Sequence, residues 1–272
     1  MCSLMGVTRS SYYSYQERQE KRETNVYHKE LIEAVKSIGK ASYYSYGTRR
    51  MRKALAALSY RVGHYKTRSL MLEAGVKALI KRRYRSTTDS NHKLPIFTNV
   101  LNRDFRFESP NEAYVGDITC IWTNEGWLYL SVFIDLFSRK VVGWSMASRM
   151  RTALVCDALQ SAIGQRQPDE GLIVHSDQGA QYASAVYRRL LKHNRFVGSM
   201  SRRANCWDNS VSESFFGSLK KERVQWRSYS TRIEARRDIL EYISVFYNSQ
   251  RLHSYLGYTT PNQFEDDWWD SQ

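Results

Sequence analysis

Two periodicities divide this chain. Leu31, Val35 and Ile38 recur at helical spacing, and Met51, Leu55 and Leu58 form a second stripe after a break at Tyr46-Gly47. They predict helices over residues 25–60, with a further short helix over 66–74. From Glu112 the pattern becomes strand-like. Strands are predicted over 114–122 and 127–136, joined by the turn Asn124-Glu125-Gly126, with Leu128, Leu130, Val132 and Ile134 alternating onto one face. Phe137-Ser138-Arg139 turns the chain into a third strand over 140–146. A helix over 152–163 follows, with Val155, Leu159, Ala162 and Ile163 inward. The continuous apolar run Leu172-Ile173-Val174 suits a strand covered on both faces and ends in His175-Ser176-Asp177. A helix over 184–193, a strand over 196–200 and a helix from Asn209-Ser210 complete the order βββαβαβα. That order predicts an α/β sheet with helices on both faces.

Charge separates the same two parts. Met1 to Pro110 carries 22 Lys and Arg against 9 Asp and Glu, a net of +13, whereas the remainder carries 19 against 18. A basic field of this kind gives salt-dependent affinity for polyanions through counterion release. Nucleic acid is favoured over a merely solvated surface or acidic lipid, and charge does not separate DNA from RNA. Helices joined by short breaks and rich in Arg and Lys suggest a helix-turn-helix-like, DNA-binding region over residues 1–85, ending in Lys81-Arg82-Arg83-Tyr84-Arg85. Residues 86–110 are polar, contain Pro95 and Pro110, and read as a linker that could track a DNA backbone. No apolar run reaches the length of a membrane span, and the polar, tyrosine-rich start is no signal peptide. Cys2, Cys120, Cys156 and Cys206 are scattered, which disfavours a zinc knuckle or a disulfide framework.

Three acidic residues carry the candidate chemistry. Asp117 lies inside the first strand on the face of Val115, Thr119 and Ile121, where a carboxylate needs a cation or hydrogen bonds. Taken alone, it better suits an edge strand facing water. Asp177 closes a buried strand, where ligands of α/β sheets gather, and Gln178-Gly179 permits a tight turn. It could instead cap the next helix, although Ser184 is better placed to do so. Glu213, separated from Asp177 by 35 residues, lies on a helix whose stripe Val211, Phe215 and Leu219 faces inward. Glu213, Gly217 and Lys220 share the other face, which alone reads as an ordinary solvated one. Asp135 is a rival carboxylate, better suited to capping its turn or pairing with Arg139. Three carboxylates without a Cys or His cluster suit a hard cation, Mg²⁺ or Mn²⁺, and two such ions suit phosphodiester chemistry. No Ser-His-Asp or Cys-His arrangement supplies a nucleophile.

The segments VGDITCIW, WLYLSVFIDLFSRKVVGW, HSDQGAQY, ANCWDNSVSESFFGSLKKE and YNSQRLHSYLGYTTPNQF closely resemble one family. They resemble the second-reading-frame (OrfB) product of the insertion-sequence-three family of bacterial transposases. The stretch YGTRRMRKAL is similar to that family's second helix-turn-helix region. The resemblance covers nearly the whole chain. It implies a retroviral-integrase-type catalytic core of ribonuclease H-like fold over residues 111–272, a mixed five-stranded sheet with a C-terminal helical extension. It implies Asp117, Asp177 and Glu213 as the metal-binding catalytic triad, and Lys220 as a DNA-binding residue beside Lys81, Arg82, Arg83 and Arg85. His175, Gln178, Asn209 and Ser214 would shape the site. The implied activity is cutting of donor strands and joining of their 3′-hydroxyls to target DNA, in the bacterial cytoplasm and as a multimer on DNA. The implied partner is the first-frame (OrfA) protein, whose sequence this chain is expected to lack. Ala180 and Ala204 depart from the common serine and glycine but remove no ligand, so an intact site is expected. The competing readings are a nuclease that cuts without joining, and a DNA-binding regulator without catalysis.

Overall fold

A computed structural model describes residues 6–24, 26–79, 94–202 and 206–272. The chain forms two compact units, Met1–Leu79 and Ile80–Gln272. Lys81, Arg82, Arg83, Arg85 and Ala204 lie outside the described residues. No described helix is long and apolar enough to cross a membrane.

The first unit contains α1 (Arg9–Thr24), α2 (Val26–Ala41), α3 (Thr48–Ala57) and α4 (His64–Glu73). Leu31 and Val35 of α2 meet Met51 and Leu55 of α3 and Leu70 and Met71 of α4 in one core. The break at Tyr46-Gly47 falls where expected, with Gly47 extended ahead of α3. Leu58 departs from the predicted stripe. It ends α3 as its C-cap and is 55% exposed, because the chain turns away there before a fourth apolar position can pack. α1 has no apolar stripe to announce it, and the sequence reading misses it.

The second unit is built on a five-stranded sheet ordered β3-β2-β1-β4-β5. Its strands are β1 (Ala113–Thr123), β2 (Gly126–Asp135), β3 (Val141–Ala147), β4 (Ile173–Ser176) and β5 (Val197–Met200). The first three form two successive antiparallel hairpins, and β4 and β5 join parallel to β1. Leu128, Leu130, Val132 and Ile134 are fully buried, as the alternation predicts, but so are Ser131 and Phe133 between them. β2 is therefore covered on both faces through this stretch.

α5 (Thr152–Arg166) packs on β2 and β3, burying Leu154, Val155, Ala158, Leu159 and Ala162. It comes so close at Gly143 that a Cβ there would lie 2.4 Å from the Ala158 carbonyl oxygen and 2.6 Å from the Ala162 Cβ. Neither atom is the end of a flexible side chain. Gly143→Ala is therefore expected to destabilise the second unit by about 1–3 kcal/mol, the usual cost of overpacking. A denaturant melt reads it, and an unchanged midpoint would contradict the close packing.

Short helices α6 (Ala180–Ala183) and α7 (Ala185–His193) follow β4, and Ser184 caps α7 by accepting from the Tyr187 amide. α8 (Ser210–Glu222) buries Ser212, Phe215, Phe216 and Leu219 and packs against β1. Val211 is only half-buried, so the inward stripe is rotated from the predicted one. α9 (Arg232–Glu241) runs into a π-helical turn, Tyr242–Tyr247, and α10 (Pro261–Trp269) follows.

The described part of the expected linker, from residue 94, is fastened to this unit. Leu101 is buried, the Phe97 ring lies against Gly198, and the Val100 and Leu101 amides donate to Ser199 Oγ.

Candidate active site

Asp117 sits in β1, the central strand, opposite Val132 of β2. That position removes the edge-strand reading. Val115, Thr119 and Ile121 on its face are all buried, as expected. The parallel ladder of β1 and β4 ends at the pair Gly116 and Ser176. Asp117 is the next residue of β1 and Asp177 the residue just past the end of β4, so the two leave the ladder at neighbouring positions, and the charge of Asp177 acts on Asp117.

Each carboxylate is oriented locally. Asp117 Oδ1 accepts from the Ile118 amide at 2.7 Å, and Asp177 Oδ1 accepts from the Gly179 amide at 2.9 Å. A Cβ at Gly179 would stand 2.9 Å from Asp177 Oδ1, so any larger residue there would press this carboxylate aside. Gln178 points away and donates to the Ser201 carbonyl at 2.9 Å.

Glu213 occupies the first turn of α8 and is exposed. The three charges sense one another. Burial pushes the Asp117 carboxyl well above the usual range, and the charges of Asp177 and then Glu213 push it further, against the Ile118 amide and Lys220. Desolvation also raises Glu213. Lys220, two turns along α8, is lowered by burial and pulled back up by Cys120 and Asp117. A cluster of this kind is a site where like charges are crowded in excess of the local positive charge. Among the described residues, no three His, Cys, Asp or Glu side chains stand close enough to form a ready-made metal cage. A side chain at Gly217 would meet only open space.

Asp135 is occupied elsewhere. Its carboxylate accepts from the Asn111, Phe137 and Ser138 amides, so it caps its turn as expected. Arg139 stacks on the Tyr255 ring at 3.9 Å and donates to the Phe105 carbonyl. Ser214 is exposed, and Asn209 is buried at the start of α8.

His175, two residues before Asp177, is fully buried, with Nδ1 2.9 Å from Ser199 Oγ. Burial lowers its pKa to about 4, opposed by the backbone and charge of Asp208. The folded chain therefore binds fewer protons than the unfolded chain between about pH 4 and 6.5. Stability is lost as pH falls through that window, by on the order of 3 kcal/mol in the limit. Asp135, raised by burial to about 6, contributes the opposite slope over nearly the same window. The difference between His175→Asn and the parent isolates the histidine. The variant is expected to lose less stability on acidification, and parallel pH profiles would contradict the buried neutral imidazole.

Sequence reading missed Asp208 as a functional candidate. It lies in the 3₁₀ turn Cys206–Asn209 before α8, and its partners are distant in sequence.

Comparison with known proteins agrees with this architecture. Two family models described as integrase core domain match residues 108–206 and 213–267, and one described as an HTH-like domain matches 27–84. The chain is 38% identical over 268 residues to an insertion element IS600 uncharacterized 31 kDa protein of Shigella sonnei, covering 98% of this chain and 97% of that one. It is 38% identical over 267 residues to transposase InsF for insertion sequence IS3A of Escherichia coli, covering 98% and 93%. Among solved structures, it is similar in fold to a chain of the simian T-cell lymphotropic virus intasome in complex with PP2A regulatory subunit B56 gamma. The TM-score is 0.50 at 16% identity, over 80% of this chain and 74% of that one. The chain belongs to the insertion-sequence-three family of transposases, polynucleotidyl transferases with an HTH-like DNA-binding region and an integrase core of ribonuclease H-like fold.

Proposed function

We propose that this transposase cuts donor DNA strands and joins their 3′-hydroxyls to target phosphodiesters at Asp117, Asp177 and Glu213, with two divalent ions, Mg²⁺ or Mn²⁺. The observation that carries the reading is the register of β1 and β4, which puts Asp117 and Asp177 at neighbouring positions beside α8. The donor set fits: it is all carboxylate oxygen, as hard cations prefer. When bound, such ions lower the pKa of the attacking water or hydroxyl and stabilise the leaving oxygen of an in-line displacement.

The protein's own residues supply the geometry. The Ile118 and Gly179 amides fix one oxygen of each aspartate. Lys220, on the same side of α8 as Glu213 and within electrostatic reach of Asp117, places a cation where a scissile phosphate would lie. The HTH-like region and the basic run Lys81, Arg82, Arg83 and Arg85 would grip the element's ends. The first-frame protein would complete end recognition, with several copies assembled on DNA in the bacterial cytoplasm.

Glu213→Gln removes a charge from an exposed position without touching the buried stripe of α8. Transposition in cells is expected to fall more than about 100-fold, beyond the range of residues that only support a ligand. Unchanged transposition at equal protein level would favour a regulator without catalysis.

A further inference from the structure

The chain between β5 and α8 leads into the helix that carries Glu213, and Asp208 ties it to the segment before β1. Asp208 is 1% exposed. Its carboxylate accepts from the Arg202 amide at 2.9 Å, Arg202 Nε at 3.0 Å, Arg202 Nη2 at 3.1 Å, Arg103 Nε at 2.8 Å and Asn99 Nδ2 at 3.1 Å. Five donors on one buried carboxylate come close to filling its lone-pair directions, which a buried charge requires.

These partners tie three pieces of chain together. Asn99 and Arg103 belong to the segment before β1, and Arg202 follows β5. The same segment is pinned to β5 through the Val100 and Leu101 amides on Ser199, and Ser199 in turn meets His175 of β4, two residues before Asp177. Meanwhile α8 lacks a cap of its own, since Asn209 at the cap position makes no side-chain capping bond. The start of α8 is thus held from Asp208, and Glu213 lies within the first turn beyond it. At about 1.5 Å of rise per residue, a shift of that start is passed to Glu213 almost undiminished.

We infer that Asp208 is a positioning residue for Glu213, gathering Asn99, Arg103 and Arg202 to set where α8 begins relative to the carboxyl ends of β1 and β4. This rests on the three-carboxylate reading above. Asp208 touches neither Asp117 nor Asp177 in the bonds it makes, so its effect on the site is carried by the chain it holds.

The test is a Mn²⁺ titration of the full chain, followed by the loss of the free-ion paramagnetic resonance signal, with thermal melts alongside. Four proteins are compared: parent, Glu213→Gln, Asp208→Asn and the double variant. Asparagine keeps the shape but turns an amide group toward the arginines. Asp208→Asn is expected to weaken Mn²⁺ binding about 10-fold, as loss of a supporting residue does. In the Glu213→Gln background it should add nothing, because the ligand it positions is gone. Undiminished affinity in folded Asp208→Asn, or a full further loss in the double variant, would overturn the proposal. If Glu213→Gln itself leaves Mn²⁺ binding unchanged, the three-carboxylate reading fails first, and the proposal falls with it. Should Asp208→Asn not fold, the half-exposed Arg103 and Arg202 carry the test as Arg103→Gln with Arg202→Gln. The same loss and the same non-additivity are expected, and unchanged affinity would overturn the proposal.

Discussion

Asp177→Asn is expected to leave the fold as stable as the parent or more so, while cutting strand transfer more than about 100-fold. The asymmetry follows from the crowding of charge. Burial and then Asp177 raise the Asp117 carboxyl well above its ordinary range. At neutral pH the folded chain therefore holds a carboxylate whose ionised form is disfavoured, a cost absent from the unfolded chain. Neutralising Asp177 relieves part of it, and asparagine Oδ1 can still accept from the Gly179 amide. The substitution removes a carboxylate proposed to bind metal directly, so its effect should exceed the roughly 10- to 100-fold typical of supporting residues. A site strained for function and relaxed by its own removal is a recognised trade-off. The check is a thermal melt beside a strand-transfer assay. If stability and activity fell together, Asp177 would be a structural residue.

Arg251→Ala should do the opposite and destabilise the second unit strongly. Arg251 is 3% exposed and forms bonds of 2.8–3.1 Å with both oxygens of Glu222, with a further bond to Ser218 Oγ and a contact to His253 Nε2. The pair joins the last turn of α8 to the chain after the π-helical turn, and Tyr242 adds its hydroxyl to Glu222 at 2.7 Å. Burial alone would lower the guanidinium pKa, but Glu222 more than reverses this and raises it. Removing the arginine leaves a buried carboxylate with little compensation. Breaking such a pair from one side costs about 3–5 kcal/mol. For a unit of this size that is a fall in Tm of roughly 10 °C. A shift of a degree or two would mean that water reaches Glu222 and that the pair is peripheral.

The parts of the fold legible from sequence were those set by local period. The alternation in β2, the turn at Asn124-Glu125-Gly126 and the apolar run before Asp177 each stand where the pattern puts them, because burial and backbone geometry act within a few residues. Ser184 as the cap of α7 and Asp135 as the cap of its turn were legible for the same reason. Period fails at element ends and where no stripe exists. Leu58 continues the spacing of α3 but falls on its cap, and α1 carries too few apolar positions to show a face. Residues 94–110 look like a linker because their few anchors, Phe97 and Leu101, follow no period, yet both are docked. Contacts between distant segments are illegible in principle from one sequence. Asp208 meets Asn99 and Arg103 across more than a hundred residues, and Arg251 meets Glu222 across 29. The carboxylates could be singled out by position, but that Asp117 and Asp177 share a register depends on β4 pairing with β1, which only the fold reveals.

The most direct test of the account is a strand-cleavage and joining assay on DNA carrying the element's ends, with Mg²⁺ or Mn²⁺. The chain is run alone and fused to the proposed first-frame protein, each beside Asp177→Asn. The account predicts metal-dependent cleaved and joined products from the parent protein and none from the variant. Products that persist in Asp177→Asn, or their absence even from the fusion, would contradict it.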